Sequence, residues 1–501
     1  MLVVIVFLAA LVACLVGTPL GMRAGRGLGL LDRVGRVRTI HAEAVPRSGG
    51  LAVAGAVLGV LSAVLLLHGA PGGAQRSLGT FLAGGALFFA IGLLDDLRPL
   101  RPRAKLACQL VGALGAYAAG FEIEHLAAFD SEIILPPAAA CALTVAWLVG
   151  IVNAVNLIDG SDGLAGGYTA CCAGAIALIG DQRGDAATAL AAAAVAGASL
   201  GFLRFNFAPA RVFLGDAGSL FLGAALAMLA LRASARPSGA ITLGVPVVLL
   251  GLPILDTALA IARRLALGRP IASSDADHIH HRLLLRGLSP RQVALLVYLL
   301  GAVSALLAVV YARIRGVDRW LLLGAIAALV LGGLVALDYV PLRRGAWRRL
   351  RARRERNLAV RRALSQLARE PACDEPFSRA AARLGPIVGA PVITLEQGGA
   401  VQAWHDPSSS AMDVQHHRFA AVAPGGRHLG TLSILLPSED AADLGLLVEG
   451  LCRLLAPPPA RRPADPPRPT PRRDGGVAAG RAGGAARRSR GAGASRRRAR
   501  R

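Results

Sequence analysis

Over its first two thirds the chain alternates long apolar runs with short polar clusters. The runs lie near 1–20, 49–70, 78–94, 104–121, 134–152, 164–180, 186–202, 219–233, 240–262, 291–312 and 320–340. A helix needs about 20 apolar residues to cross a hydrocarbon core, so eleven transmembrane helices are predicted. Several are rich in Ala and Gly, which lets helices approach closely in lipid. Beyond them the period changes. A basic juxtamembrane linker, 341–356, suits anionic headgroups. Helical patterning over 358–369 and 376–385 gives way to alternation at 392–395, 401–404, 419–422 and 429–436, with a last helix over about 439–455. The expected fold class is an all-α polytopic membrane protein (domain 1–340) with a small cytosolic α+β domain (357–456) and a disordered Arg/Pro/Gly-rich tail (457–501).

Composition agrees with the pattern. Of 501 residues 54% are hydrophobic and mean hydropathy is +0.53, which excludes an ordinary soluble enzyme. The net charge of +24 lies largely after residue 340. A solvated tail explains it, and nucleic acid is not an expected partner. The seven cysteines show no zinc spacing and read as small buried hydrophobes. Leu11-Val-Ala-Cys14 has the form of a lipoprotein cleavage box, but no positive charge precedes the apolar run, so the first run is read as an uncleaved span.

Charge then sorts the loops. The 21–48 loop has six arginines, 95–105 has Arg98, Arg101, Arg103 and Lys105, and 263–290 has Arg263, Arg264, Arg269, Arg282 and Arg286. The 122–133 loop holds Glu122, Glu124, Asp130 and Glu132 and no Lys or Arg. Positive loops mark the cytoplasmic side. The N-terminus is therefore expected outside and the C-terminus inside, in the inner (plasma) membrane; loops 232–239 and 313–319 run against the rule. All the conspicuous polar motifs fall on the cytoplasmic side. One composite site built by distant loops is the expectation. A transporter would instead carry charge within its spans; a membrane scaffold without catalysis would need no such set of motifs.

The motifs carry specific chemistry. Asn153-Ala-Val-Asn156-Leu-Ile-Asp159-Gly-Ser-Asp162-Gly163 offers amide and carboxylate oxygens, hard ligands of the kind Mg²⁺ takes. A polar interhelical loop is the plainer alternative. Asp95-Asp96 precedes Lys105, the sole lysine of the chain. An acidic pair can hold a cation or take a proton, and an ammonium suits phosphate. Gly215-Asp216-Ala-Gly218-Ser219 opens a helix, where backbone N–H groups favour an anion; Asp216 is also a common kind of helix-start residue. His278-Ile-His280-His281 lacks a zinc-spaced partner and is read as a phosphate-binding group rather than a metal site.

Together with Pro46-Arg-Ser-Gly-Gly50, Phe205-Asn206-Phe-Ala-Pro-Ala and Pro253-x-x-Asp256-Thr257, these motifs resemble, in order, the polyprenyl-phosphate N-acetylhexosamine-1-phosphate transferases. The resemblance covers about residues 1–340. It implies a Mg²⁺-dependent enzyme, with Mn²⁺ as the substitute ion, that transfers a sugar 1-phosphate from a UDP-sugar to undecaprenyl phosphate and releases UMP. Carried over, Asn156 and Asp216 would be metal ligands. Asp95, Asp96, Lys105, Asp159 and Asp162 would be catalytic: Lys105 on phosphates, Asp95 or Asp96 binding or deprotonating the lipid phosphate, Asp159 and Asp162 shaping the pocket. Asn153, Asn206, His278, His280, His281 and Arg282 would bind substrate. The implied partners are the UDP-sugar, undecaprenyl phosphate and membrane lipid, with a homo-oligomer left open. His-Ile-His-His resembles the UDP-GlcNAc branch more than the UDP-MurNAc-pentapeptide branch, which usually has three adjacent histidines. One departure is Ala276, where members often have Arg after the Asp. Single-step transfer and an aspartyl-phosphate route both remain open. Gly430–Leu436 with the helix after it is similar to the end of a GAF-type sensory domain.

Overall fold

A computed structural model describes residues 1–31, 45–68, 74–128, 131–235, 243–270, 278–314, 316–337, 339, 346–369, 375–388, 390, 392–397, 400–405, 414–422, 428–437, 447–448, 451–452 and 455. Asp275 and Asp277, most of the expected last helix and the whole 457–501 tail lie outside the described residues.

The chain opens with α1 (Leu2–Gly27), α2 (Gly49–His68), α3 (Gln75–Leu97) and α4 (Pro102–Ala118). An antiparallel hairpin, β1 (His125–Ala128) and β2 (Ser131–Ile134), leads into α5 (Pro137–Ile158). Then come α6 (Leu164–Gln182), α7 (Ala186–Asn206) and α8 (Gly215–Ser234). Next are α9 (Gly244–Leu249), α10 (Gly251–Ala266), α11 (Ile279–Leu285), α12 (Pro290–Arg313) and α13 (Val317–Ala336). The C-terminal part consists of α14 (Ala346–Leu367), α15 (Pro376–Val388), β3 (Val392–Gln397), β4 (Ala400–His405), β5 (Val414–Val422) and β6 (His428–Pro437).

Local sequence sets many of the ends. Pro137 occupies the first turn of α5, where its missing N–H costs nothing. Asp185 caps α7 by accepting from Thr188 N at 3.1 Å. Ser289 and Gln292 form a capping box at α12, with Pro290 at its start.

Among the described residues nine helices are long and apolar enough to cross a membrane: α1, α2, α3, α5, α6, α7, α8, α12 and α13. The protein is a multi-pass membrane protein. Two of the eleven predicted spans take another form. The 104–121 run is α4, only 17 residues long, with Arg103 and Lys105 in its first turn; at 1.5 Å per residue it reaches about 26 Å. The 240–262 run breaks at Leu250 (φ −100, ψ 19) into α9 and α10. Pro246 and Pro253 flank that break, and each lacks the N–H that would continue the ladder. α10 carries buried Asp256 and has Arg263 and Arg264 in its last turn. The β1–β2 hairpin, of four-residue strands in the acidic loop, was not predicted.

Burial is graded from centre to rim. The apolar window of α8 is 94% buried, against 22% for α1 and 0% for α13. Small residues make the central place of α8 feasible. A Cβ on Gly223 would lie 2.8 Å from Val152 Cα on α5, and one on Gly50 would lie 2.3 Å from Gly218 N. One on Gly92 of α3 would lie 2.2 Å from Asp216 O. So α2, α3 and α5 all approach α8 with backbone nearly touching backbone, most tightly at its first turn.

The C-terminal part has its own core. Its sheet is antiparallel in the order β4-β3-β6-β5. Phe377, Ala381 and Leu384 of α15 pack with Ile393, Leu395, Leu432 and Ile434, and α14 adds Val360, Ala363 and Leu367. The strands fall where alternation predicts them. α14 starts at Ala346, inside the expected linker, rather than near 358.

Candidate active site

Three segments converge on the start of α8. The Pro46–Gly50 backbone pairs with Phe213 and Leu214: Phe213 N donates to Pro46 O at 2.8 Å, Gly49 N to Phe213 O at 2.9 Å and Gly50 N to Leu214 O at 2.8 Å. Gly215 then takes φ +74, in the left-handed region. That turn aims the first N–H groups of α8 at the end of α3. Asp96 accepts both: Oδ1 from Asp216 N at 3.0 Å and Oδ2 from Ala217 N at 2.8 Å. A carboxylate on a helix N-terminus satisfies orphan donors and meets the positive end of the dipole.

With its backbone held, Asp216 points at the charges of the site. Lys105 Nζ lies 2.7 Å from Asp216 Oδ1 and 2.9 Å from Asp95 Oδ2. Asp95 is buried, and its Oδ1 also accepts from Leu100 N at 2.7 Å, which shapes the turn between α3 and α4. Asn156 Nδ2 donates to Asp216 Oδ1 and to Ser219 Oγ, both at 2.7 Å. Helices α3, α4, α5 and α8 therefore each supply at least one member of a single polar cluster. Asp159 caps the end of α5 beside it. Its side chain keeps some accessible surface, yet burial pushes its carboxyl well above the ordinary carboxylate range. The charges of Asp216, Asp96 and Asp162 push the same way, and Arg47 opposes them.

The other predicted residues frame this cluster. Asp162 Oδ2 accepts from Ala210 N at 2.9 Å. Asn206, 3% exposed, accepts from Gly163 N at 3.0 Å and donates to Val212 O at 2.7 Å. These two residues tie the 159–163 loop to the 206–212 loop. Asn153 lies one turn before Asn156 and donates to Gln109 Oε1 and to Val149 O, both at 2.8 Å. His278 and His280 are buried and their rings stack, centroids 5.9 Å apart. Asp256 Oδ2 is 2.9 Å from His278 Nδ1, and its Oδ1 accepts from Ile279 N at 2.9 Å. His280 Nε2 lies 3.2 Å from where a Cβ on Gly160 would be, so α11 abuts the Asn153–Gly163 stretch. His281 is next to His280, centroids 4.3 Å apart. Arg282 contacts the last span: Nη1 donates to Leu337 O at 2.9 Å.

Four participants had no role assigned from the sequence: Arg47, Gln109, Ser219 and Asp256. A signal existed for Gln109, which follows Lys105 by four residues and so shares its helix face. Arg47 and Asp256 sit inside motifs that were legible, but nothing in the spacing said what they face.

A divalent cation of the Mg²⁺ class would take the Asp216 carboxylate and the Asn156 amide oxygen. Asn156 now turns its Nδ2 to Asp216 Oδ1 at 2.7 Å, so the two side chains are adjacent, and the amide would turn its oxygen to such an ion. Among the described residues no group of three or more His, Cys, Asp or Glu side chains could hold a metal alone. The donors present fit an ion that fills most of its sphere with water and substrate phosphate. Lys105 Nζ now pairs with Asp216 at 2.7 Å.

Residues 78–234 match the model for glycosyl transferase family 4. The probable undecaprenyl-phosphate N-acetylglucosaminyl 1-phosphate transferase of Bacillus subtilis (strain 168) is 34% identical over 331 residues, covering 66% of this chain and 89% of that protein. The decaprenyl-phosphate N-acetylglucosaminephosphotransferase of Mycobacterium tuberculosis (strain H37Rv) is 35% identical over 322 residues, 58% of this chain and 78% of that protein. The phospho-N-acetylmuramoyl-pentapeptide-transferase of Desulforamulus reducens is 32% identical over 351 residues, 63% of this chain and 97% of that protein.

Proposed function

The chain belongs to glycosyl transferase family 4, and on that premise we propose that it transfers GlcNAc-1-phosphate from UDP-GlcNAc to undecaprenyl phosphate and releases UMP. The observation that carries this reading is the Lys105 ammonium of α4 between Asp95 and Asp216, beside Asn156 and Asp159, where the membrane-length helices α3, α5 and α8 end or begin. A lipid phosphate stays at headgroup level, and its partner is a soluble dianion, so the reaction needs cationic groups at that depth. The names of the relatives point to the same donor and acceptor classes.

In the proposed step an oxygen of the lipid phosphate attacks the sugar-bearing phosphorus in line. A new P–O bond forms, the diphosphate P–O bond breaks, and UMP leaves with the electron pair. Mg²⁺ held by Asn156 and Asp216 would supply charge neutralisation on the diphosphate. Lys105 moves its ammonium from the carboxylates to a phosphate oxygen as the substrates enter, lowering their mutual repulsion. Asp96 keeps the start of α8, and so Asp216, in place. Asp95 and Asp159 are the carboxylates placed to accept a proton or to orient the lipid phosphate. His278, held by Asp256, and His280 present ring N–H groups to the diphosphate. The arginine-rich loops support a site facing the cytoplasm of the inner membrane, with the N-terminus outside.

The test is UMP release by the purified protein given UDP-GlcNAc, undecaprenyl phosphate and Mg²⁺, with UDP-MurNAc-pentapeptide as a second donor. Release with the first donor, abolished by Asp216→Asn and by Asn156→Ala in folded protein, is expected. Full activity in both variants would refute the metal assignment. Release only with the second donor would reassign the sugar, and none with either would leave a membrane scaffold.

A further inference from the structure

The chain beyond α13 is fastened to the turn after α10, the helix whose Asp256 holds His278. α10 ends at Ala266, and the turn after it presents two backbone carbonyls to α14. Asn357, 2% exposed, donates Nδ2 to Leu267 O at 3.0 Å. Arg361 Nη1 donates to Gly268 O at 2.8 Å. Gly268 has φ +66, and a Cβ there would lie 3.1 Å from Leu358 Cγ, so the turn and α14 meet without a gap. At the other end of this connection Asp256, on α10, holds His278 and the first N–H of α11.

α11 is held from a second direction. Arg282 donates to Leu337 O at 2.9 Å with its guanidinium 4.0 Å from the Tyr339 ring centroid, and Arg286 Nη2 donates to Ala336 O at 3.0 Å. A seven-residue helix has no stability of its own. Its position is therefore set by what grips its ends. Besides the core packing of Ile279 and Leu283, three grips are Asp256, the end of α13 and, through the α10 turn, α14. These three lie outside residues 78–234, the span matched by the family model.

We propose that Asn357 and Arg361 are positioning residues: α14 braces the turn after α10, and thereby sets where α11 holds His278 and His280 against Gly160. The C-terminal module would then govern affinity for the nucleotide sugar without touching it. This rests on the reading of the histidines as the donor side of the site. The brace acts through geometry, so it changes donor binding and leaves acceptor binding and the chemical step nearly untouched.

The experiment uses the full chain in detergent, with UDP-GlcNAc and undecaprenyl phosphate varied separately. Asn357→Ala should raise KM for the donor about three- to tenfold, the worth of one buried hydrogen bond, with kcat and acceptor KM within about twofold. Arg361→Ala, on an exposed side chain, should shift KM the same way by less. Arg361→Lys, which keeps a donor for Gly268 O, should recover most of that shift. Arg362→Ala, exposed on α14, should match wild type. Independently of activity, amide hydrogen exchange over 279–285 should quicken in Asn357→Ala while 164–182 stays protected. If the wild type turns over neither donor, the exchange result alone decides the brace. Unchanged donor KM with unchanged exchange overturns it. So does loss of protection across the whole bundle, or an equal change in both KM values.

Discussion

Asp96→Asn separates a positioning carboxylate from a reacting one. Both oxygens of Asp96 accept from the first N–H groups of α8, at 3.0 and 2.8 Å. Asparagine keeps the shape but turns an NH₂ towards one of those donors. One charge-assisted hydrogen bond is lost, worth about 1.5–3 kcal/mol, along with an anion at a helix N-terminus, worth about 0.3–1 kcal/mol. Asp96 is only half-buried, which favours the lower end, about 2 kcal/mol in all. Displacement of Asp216 from Lys105 and Asn156 converts that into a loss of turnover of roughly 30-fold. UMP release should fall by that order, thermal denaturation in detergent should move down, and the shape of the pH–rate profile should persist. Wild-type stability together with a loss beyond about 10⁵-fold would place Asp96 on the reacting atoms and refute the argument. Wild-type values of both would show that the clamp on α8 carries no energy.

Lys105→Arg keeps the charge but replaces a compact ammonium, 2.7 Å from Asp216 and 2.9 Å from Asp95, with a planar fork. Stability should change by less than about 1 kcal/mol while kcat falls tenfold or more; a fully active variant would show that only the charge matters. Gly92→Ala would place a Cβ 2.2 Å from Asp216 O, so α3 and α8 must separate. A cost of about 1–3 kcal/mol and lower turnover are expected, and an unchanged melting temperature would refute the close approach. For Asp159 the pH sign follows from its raised carboxyl pKa. The folded state favours the protonated form, so its stabilising contribution is present at acid pH and lost as pH rises through the raised value. In divalent-free buffer the stability advantage of Asp159→Asn over wild type should grow from about pH 4 upward; a flat difference would show the carboxyl is unperturbed.

Much of the molecule was readable from local chemistry. Membrane-length helices announce themselves by length and hydropathy, because only a helix satisfies its backbone in lipid. The strands of the C-terminal sheet were placed by alternation, since one face of Ile393, Leu395, Leu432 and Ile434 must be buried. The two altered spans were also written in the chain, as Pro246 and Pro253 around Leu250 and as the charged first turn of α4. Hydropathy summed over each run masks them. The hairpin at 125–134 escaped because four-residue strands leave too short a period to see.

The candidate site divides along the same line. Residue types and spacing alone singled out the candidate side chains: Lys105 as the sole lysine, the Asp95–Asp96 pair, and the oxygens of Asn153–Gly163. Only tertiary structure decided their partners. Adjacent Asp95 and Asp96 look equivalent in sequence, yet one pairs with Lys105 and the other caps α8, because successive side chains on a helix point about 100° apart. Arg282 neighbours the histidines in sequence and contacts α13 in space. Asn357, with nothing in its surroundings to mark it, acquires a place only because α14 packs on the turn after α10. Local sequence sets periodicity and chemistry; which face meets which neighbour depends on how helices far apart in the chain pack, and no local pattern records that.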